Sequence, residues 1–121
     1  MIDASAALAA LLRPGRARDS LASQQTHAPH LIDLEVANGL RRHVEPDPAR
    51  VALATWRQLG ITRHPHVGLL HRIWALRHNL SAYDAAYVAL AEALDCTLLT
   101  ADARLARAPG IRCPVTVIPR A

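Results

Sequence analysis

Four acidic side chains, Asp3, Glu35, Asp84 and Asp102, have the types and spacing that could do chemistry in this chain. Asp3 follows the apolar pair Met1-Ile2, and Asp102 follows the run Leu98-Leu99-Thr100 with one alanine between, so both carboxylates stand just beyond strand-like segments. Parallel strands would deliver them to one sheet edge, outside the carboxyl ends of the strands, where open α/β sheets bind ligands. Asp84 falls at the third position of a helix that Ser81 would cap, and Glu35 lies in the first turns of another. Carboxylates drawn into one cleft repel each other, which raises their proton affinity unless a cation offsets the charge. Hard divalent ions prefer oxygen ligands, and Mg2+ commonly takes one or two carboxylates while keeping water and substrate phosphate in its other positions.

Each acid also has a structural role open to it. Ser81-x-x-Asp84 fits the capping-box pattern, and acids favour the positive end of a helix. Asp3 and Asp102 can each cap the helix that follows them. Taken singly, capping is the favoured reading of all three. Glu35 differs, because it lies inside a helix with Asn38 on its face while Asp33 points roughly 200° away. By periodicity alone Glu35 is solvated or paired with Arg42.

The elements that must position these acids follow from pattern and punctuation. Met1-Ile2 can only be the end of a strand, and a helix over 3–12 stops at Pro14-Gly15. A second helix is expected over 16–25, Ala28-Pro29 punctuates, and the apolar spacing of Val36, Ala37, Leu40 and Val44 gives a helix over 31–43 ended by Pro46 and Pro48. Asp47 or Pro48 can open a helix over 49–59, and further helices are expected over 67–79, 81–94 and 103–108, with short strands over 60–63, 97–100 and 115–118. Helices alternating with short buried strands imply a parallel sheet covered on both faces, in one α/β domain over residues 1–121.

Composition narrows the partners. All fourteen basic residues are Arg, and against ten acids they leave a formal charge of +4, a balance suited to a polyanion because the guanidinium fork matches phosphate oxygens. Without Lys there is no P-loop and no receiver-domain lysine, and no GxGxxG turn occurs. Two cysteines without a CxxC pair fit a reduced, cytoplasmic protein, and no apolar run approaches the ~20 residues that span a bilayer. The basic stretch over 63–78 could track RNA phosphates or simply face solvent. Its histidines, 64, 66, 71 and 78, lack the cysteines or paired spacing of a zinc site. Trp56 and Trp74 are expected in the core or a dimer interface, and Tyr83 and Tyr87, on one helix face, are expected to pack.

Four segments in order, MIDASA at the start, PHLIDLEVAN over 29–38, LSAYDAAY over 80–87 and LLTAD over 98–102, resemble a PIN-domain ribonuclease of the VapC toxin type. The resemblance runs from Asp3 to the final Val-Thr-Val-Ile strand. It implies a three-layer α/β/α, Rossmann-like sandwich with a short central parallel sheet. It further implies a Mg2+- or Mn2+-dependent endoribonuclease that leaves 5′-phosphate and 3′-hydroxyl ends, a VapB-type antitoxin that blocks the site, and a homodimer. Carried over by position, the family's catalytic and metal-binding acids fall on Asp3, Glu35, Asp84 and Asp102, with Asp3 and Asp102 first as direct ligands and Ser5, Asn38 and Thr100 in support. A PIN-like module that binds without cutting, or a housekeeping RNA-processing nuclease, would carry the same segments. One departure stands out: the family commonly has a longer apolar strand before its first acid, and a short one has fewer ladder bonds to hold Asp3.

Overall fold

Met1 and Ile2 sit in the middle of the sheet in the computed structural model, which describes residues 1–13, 15, 18, 19, 21 and 25–120. On one side Ile2 forms a parallel bridge with Leu99, closed by the Leu99 N–H to the Met1 carbonyl at 2.8 Å and the Asp3 N–H to the Leu99 carbonyl at 3.1 Å. On the other side the Ile2 N–H donates to the His27 carbonyl at 3.1 Å. In a parallel register the return bond would come from residue 29, and Pro29 has no N–H to give. The central strand is therefore held by two backbone bonds on the Leu99 side and one on the His27 side.

Two parallel pairs flank it. Strand β1 (Thr26–Pro29) pairs with β2 (Ile61–His64), Thr26 opposite Ile61, and β3 (Leu98–Thr100) pairs with β4 (Val115–Val117), Leu98 opposite Val115. With Met1-Ile2 between them the order is β2, β1, Met1-Ile2, β3, β4. Helices α1 (Ala4–Leu12), α2 (Ile32–His43) and α3 (Pro46–Gln58) belong to the connections that run outward to β2. A 3-10 turn (Val67–Leu69), α4 (Leu70–Ala75), α5 (Ala82–Ala93) and α6 (Ala103–Ala106) belong to those that run back across to β3 and β4. Right-handed crossovers put helices of opposite travel on opposite faces. In keeping with this, α1, α2 and α3 pack on one another and α4 packs on α5. The result is an α/β/α arrangement whose direction of winding reverses between Met1-Ile2 and β3.

The core is aliphatic and close-packed. Helix α5 is buried along its whole middle, from Ala85 to Ala91, and α1 buries Ala6, Ala7, Ala9, Ala10 and Leu11. Small side chains permit that close approach on several sides at once, and they favour helix. Gly39 of α2 serves the same end, since a Cβ there would meet the Leu8 side chain of α1. Trp56 is 1% exposed. Its indole N–H reaches Asp33 Oδ1 at 2.8 Å, and Arg63 forks onto the same carboxylate at 2.7 and 2.8 Å while lying 5.7 Å from the Trp56 ring centroid. Asp33 thus braces α2, α3 and β2 and holds its carboxyl below the usual range, chiefly through Arg63. Arg72 likewise forks onto Glu92 at 2.7 and 3.1 Å, tying α4 to α5, and donates to the Gly110 carbonyl at 2.7 Å.

Several sequence expectations are corrected. Ala28-Pro29 does not merely punctuate, because Thr26–Pro29 is a strand whose four residues show neither alternation nor β-branched enrichment beyond Thr26. The helix expected to open at Asp47 or Pro48 starts at Pro46, since a proline in the first helical turn gives up an N–H that has no partner there. The long helix expected over 67–79 is broken into the 3-10 turn, the six residues of α4 and turns beyond. Trp74 and Tyr83 are 67% and 63% exposed rather than packed within this chain. The helix expected over 16–25 falls largely on residues outside those described. Among the described residues no helix is long and apolar enough to cross a membrane.

Candidate active site

The point where the winding reverses lies between the carboxyl ends of Met1-Ile2 and β3, and Asp3 and Thr100 meet there. Asp3 caps α1: its Oδ1 accepts the Ala6 N–H at 2.9 Å and the Ser5 hydroxyl at 2.7 Å. Its Oδ2 accepts the Thr100 hydroxyl. Asp3 is 5% exposed and Thr100 fully buried. Both hydroxyl protons are spent on Asp3, so the oxygens of Ser5 and Thr100 are free to accept, from the Ala101 N–H at 2.8 Å and the Asp102 N–H at 3.0 Å. The carboxylate is thereby laced to the backbone of 101–102. Burial pushes the Asp3 carboxyl upward, the three hydrogen bonds oppose this, and the Asp102 charge adds to the rise.

Asp102 caps α6 through the Arg104 N–H at 3.0 Å, and the Arg104 guanidinium returns to it at 3.2 and 3.3 Å. That pair, with Arg104 81% exposed, holds the Asp102 carboxyl below its ordinary range. Asp84 stands in the first turn of α5, where its own N–H reaches the Ser81 hydroxyl at 3.2 Å. It is half-buried, and burial first, then the charges of Asp3 and Asp102, push its carboxyl upward. Asp84, Asp102, Ser81 and Arg104 line one cavity of about 260 Å³.

Glu35 projects from the first turn of α2 and accepts the Tyr87 hydroxyl. Burial raises its carboxyl, Tyr87 opposes, and the charges of Asp84 and Asp3 raise it further. Tyr87, 1% exposed, is pushed far above the usual phenol range by burial and by that carboxylate. Asp3, Glu35 and Asp84 therefore each feel at least one other acid, and Asp102 acts on Asp3 and Asp84. Asn38 stands apart from them: it is exposed, and its Oδ1 accepts from Arg41 at 3.1 Å.

Helix capping and clustering are thus compatible rather than rival roles, since Asp3 and Asp102 do both. Two residues of this site carried no sequence signal of their own. Tyr87 shows itself only once α5 is laid against α2, and Arg104 only once α6 is seen to be a single turn. The basic stretch is spoken for in part, with Arg63 on Asp33, Arg72 on Glu92, and His64 Nε2 at 2.9 Å from His27 Nδ1.

Among the described residues no three His, Cys, Asp or Glu side chains form a ready-made metal cage. Among them, too, no cationic side chain hydrogen-bonds to Asp3, Glu35 or Asp84. The donors are hard carboxylate oxygens with little charge compensation. Such a set fits a hydrated divalent ion that touches one or two carboxylates, and does not fit a closed protein shell.

The PIN domain family matches residues 1–111. The chain is 57% identical to VapC ribonuclease Mb0985 of Mycobacterium bovis and to ribonuclease VapC9 of Mycobacterium tuberculosis, in each case covering 99% of this chain and 98% of the relative. It is 44% identical to ribonuclease VapC1 of Mycobacterium tuberculosis over 98% of this chain and 96% of that one. Among solved structures, PAE2754 from Pyrobaculum aerophilum superposes with a TM-score of 0.66 at 24% identity, covering 93% of this chain and 86% of that protein, which speaks to the fold alone.

Proposed function

This chain belongs to the PIN-domain family alongside the VapC ribonucleases, and on that premise we propose that it is an endoribonuclease, the toxin of a type II toxin-antitoxin pair. In this reading it hydrolyses RNA phosphodiesters with Mg2+ or Mn2+ and leaves 5′-phosphate and 3′-hydroxyl ends. The observation that carries the reading is the gathering of Asp3, Glu35, Asp84 and Asp102 beside the reversal point of the sheet, linked by the mutual charges of Asp3, Glu35 and Asp84 and of Asp3, Asp84 and Asp102, with Arg104 and, more weakly, Arg120 offsetting Asp102.

The roles of the residues follow from their partners. Asp3 and Asp102 would hold the ion, Asp3 with its orientation set by Ser5, Thr100 and the Ala6 N–H, and Asp102 with its orientation set by the start of α6. When bound, a divalent ion supplies a more acidic water and offsets charge on the phosphate and leaving oxygens. Asp84 and Glu35, both with raised proton affinity, position water and can take up a proton nearer neutrality than an ordinary carboxylate. Tyr87 keeps Glu35 turned toward the cleft. Arg104 is exposed, and among the described residues its side chain hydrogen-bonds to Asp102, an exposed pair that it can leave for a substrate phosphate.

Partners belong to the same proposal: a VapB-type antitoxin that covers the acids, an RNA substrate, and a second copy of the chain, all in the cytoplasm. The experiment is to map the 5′ ends of cellular RNA after induced expression, beside an Asp3→Asn control. New 5′-phosphate ends absent from the control support the reading. Identical maps would leave a binding module without cleavage.

A further inference from the structure

An open depression of about 590 Å³ lies beside Glu35, bounded also by Leu34, Ala37, Asn38, Arg41 and Tyr83. Its volume is of the size that holds a nucleotide. Tyr83 lies one helical turn before Tyr87 on the same face of α5, but whereas Tyr87 is buried against Glu35, Tyr83 is 63% exposed. It also directly precedes Asp84. Across the depression, on α2, Asn38 Oδ1 accepts from Arg41 Nη2 at 3.1 Å and so limits where that guanidinium can point. A cluster of carboxylates repels the phosphates of RNA, so the attraction that seats a strand must come from groups beside it. An exposed aromatic ring next to Asp84 in the chain and an oriented arginine, sharing this depression with Glu35, supply stacking and phosphate contact, the two means by which single strands are held.

We infer that this depression is a subsite for one nucleotide of single-stranded RNA next to the cleaved bond, its base stacked on Tyr83 and its phosphate met by Arg41. The inference rests on the ribonuclease reading above. Stacking tolerates every base, so the subsite enforces single-strandedness more than sequence.

The test combines cleavage kinetics with binding free of metal. With a short single-stranded RNA, Tyr83→Ala raises KM about tenfold and leaves kcat within about twofold, while Tyr83→Phe behaves as the unmodified chain. Arg41→Ala raises KM and flattens its dependence on salt. In EDTA, a 2-aminopurine RNA is quenched on binding the unmodified chain and Tyr83→Phe, and not on binding Tyr83→Ala. If the unmodified chain cuts RNA but Tyr83→Ala keeps its KM and quenching, the subsite is refuted and the ribonuclease reading stands. If the unmodified chain cuts no RNA, the ribonuclease reading fails and the subsite with it. Loss of antitoxin binding in Tyr83→Ala, with RNA kinetics unchanged, would assign the depression to a protein partner instead.

Discussion

The Thr100 hydroxyl donates to Oδ2 of Asp3 across 97 residues of chain, with both side chains buried. This bond joins the end of β3 to the start of α1 and fixes which way the Asp3 carboxylate faces. Thr100→Val keeps the shape but leaves that oxygen without its donor and the Asp102 N–H without its acceptor. The expected cost is about 1–3 kcal/mol of stability in urea titration, with cleavage reduced more than tenfold. Thr100→Ser, which keeps the hydroxyl, is expected to lose much less of either.

Asp3→Asn is expected to abolish cleavage while stabilising the protein free of metal at neutral pH. Asp3, Glu35 and Asp84 all have carboxyls raised in the folded state from ordinary values of 3.8, 4.5 and 3.8. A raised folded value gives stability that is full below the ordinary value and is lost as pH rises through the folded one. Asp33 and Glu92 have the opposite sign, giving stability at neutral pH that acid removes, and His27, lowered chiefly by burial and then by His64, also favours the higher pH. The difference between the unmodified chain and Asp3→Asn isolates the Asp3 contribution. In thermal unfolding with EDTA, the variant's advantage should grow as pH rises above the ordinary carboxyl value of 3.8, and Mn2+ should remove it.

Much of this arrangement was legible in the sequence, and the part that was not has physical causes. Each of the four acids has a competent local role, so no single one announces the site; their order along the chain does, through the segments around Asp3, Glu35, Asp84 and Asp102. The β1 strand stayed hidden because Thr26–Pro29 pairs through its backbone and ends in a residue that stops one ladder. The partners of Asp33 stayed hidden because Trp56 and Arg63 lie 23 and 30 residues away. Asn38 reads as a companion of Glu35 by helical spacing, and it does share the depression beside it, but its hydrogen bond goes to Arg41.

Arg104→Ala releases Asp102 from the cation that hydrogen-bonds to it. Asp102 should then titrate nearer its ordinary value, and the affinity for Mn2+ in calorimetry should rise by up to about fivefold, the worth of an exposed ion pair. Cleavage should nonetheless fall if Arg104 meets the phosphate. Unchanged metal affinity would show that the pair does not compete with the ion.

Asp33→Ala tests the brace away from the acids. It leaves the buried Trp56 indole N–H without an acceptor and Arg63 without its fork, at an expected cost of about 2 kcal/mol in urea titration. Below its melting range the variant should retain metal-dependent cleavage, because Asp33 faces Trp56 and Arg63 and has no bond to the four acids.

The account rests most heavily on a divalent ion held by Asp3 and Asp102 that makes the chain cut RNA by hydrolysis. The direct measurement incubates purified protein with a single-stranded RNA in EDTA and then in excess Mg2+ or Mn2+, and determines the product ends. Cleavage only after metal addition, with 5′-phosphate and 3′-hydroxyl ends and none in Asp3→Asn or Asp102→Asn, is the expected result. Undiminished cleavage in EDTA, or ends carrying a 2′,3′-cyclic phosphate, would contradict it.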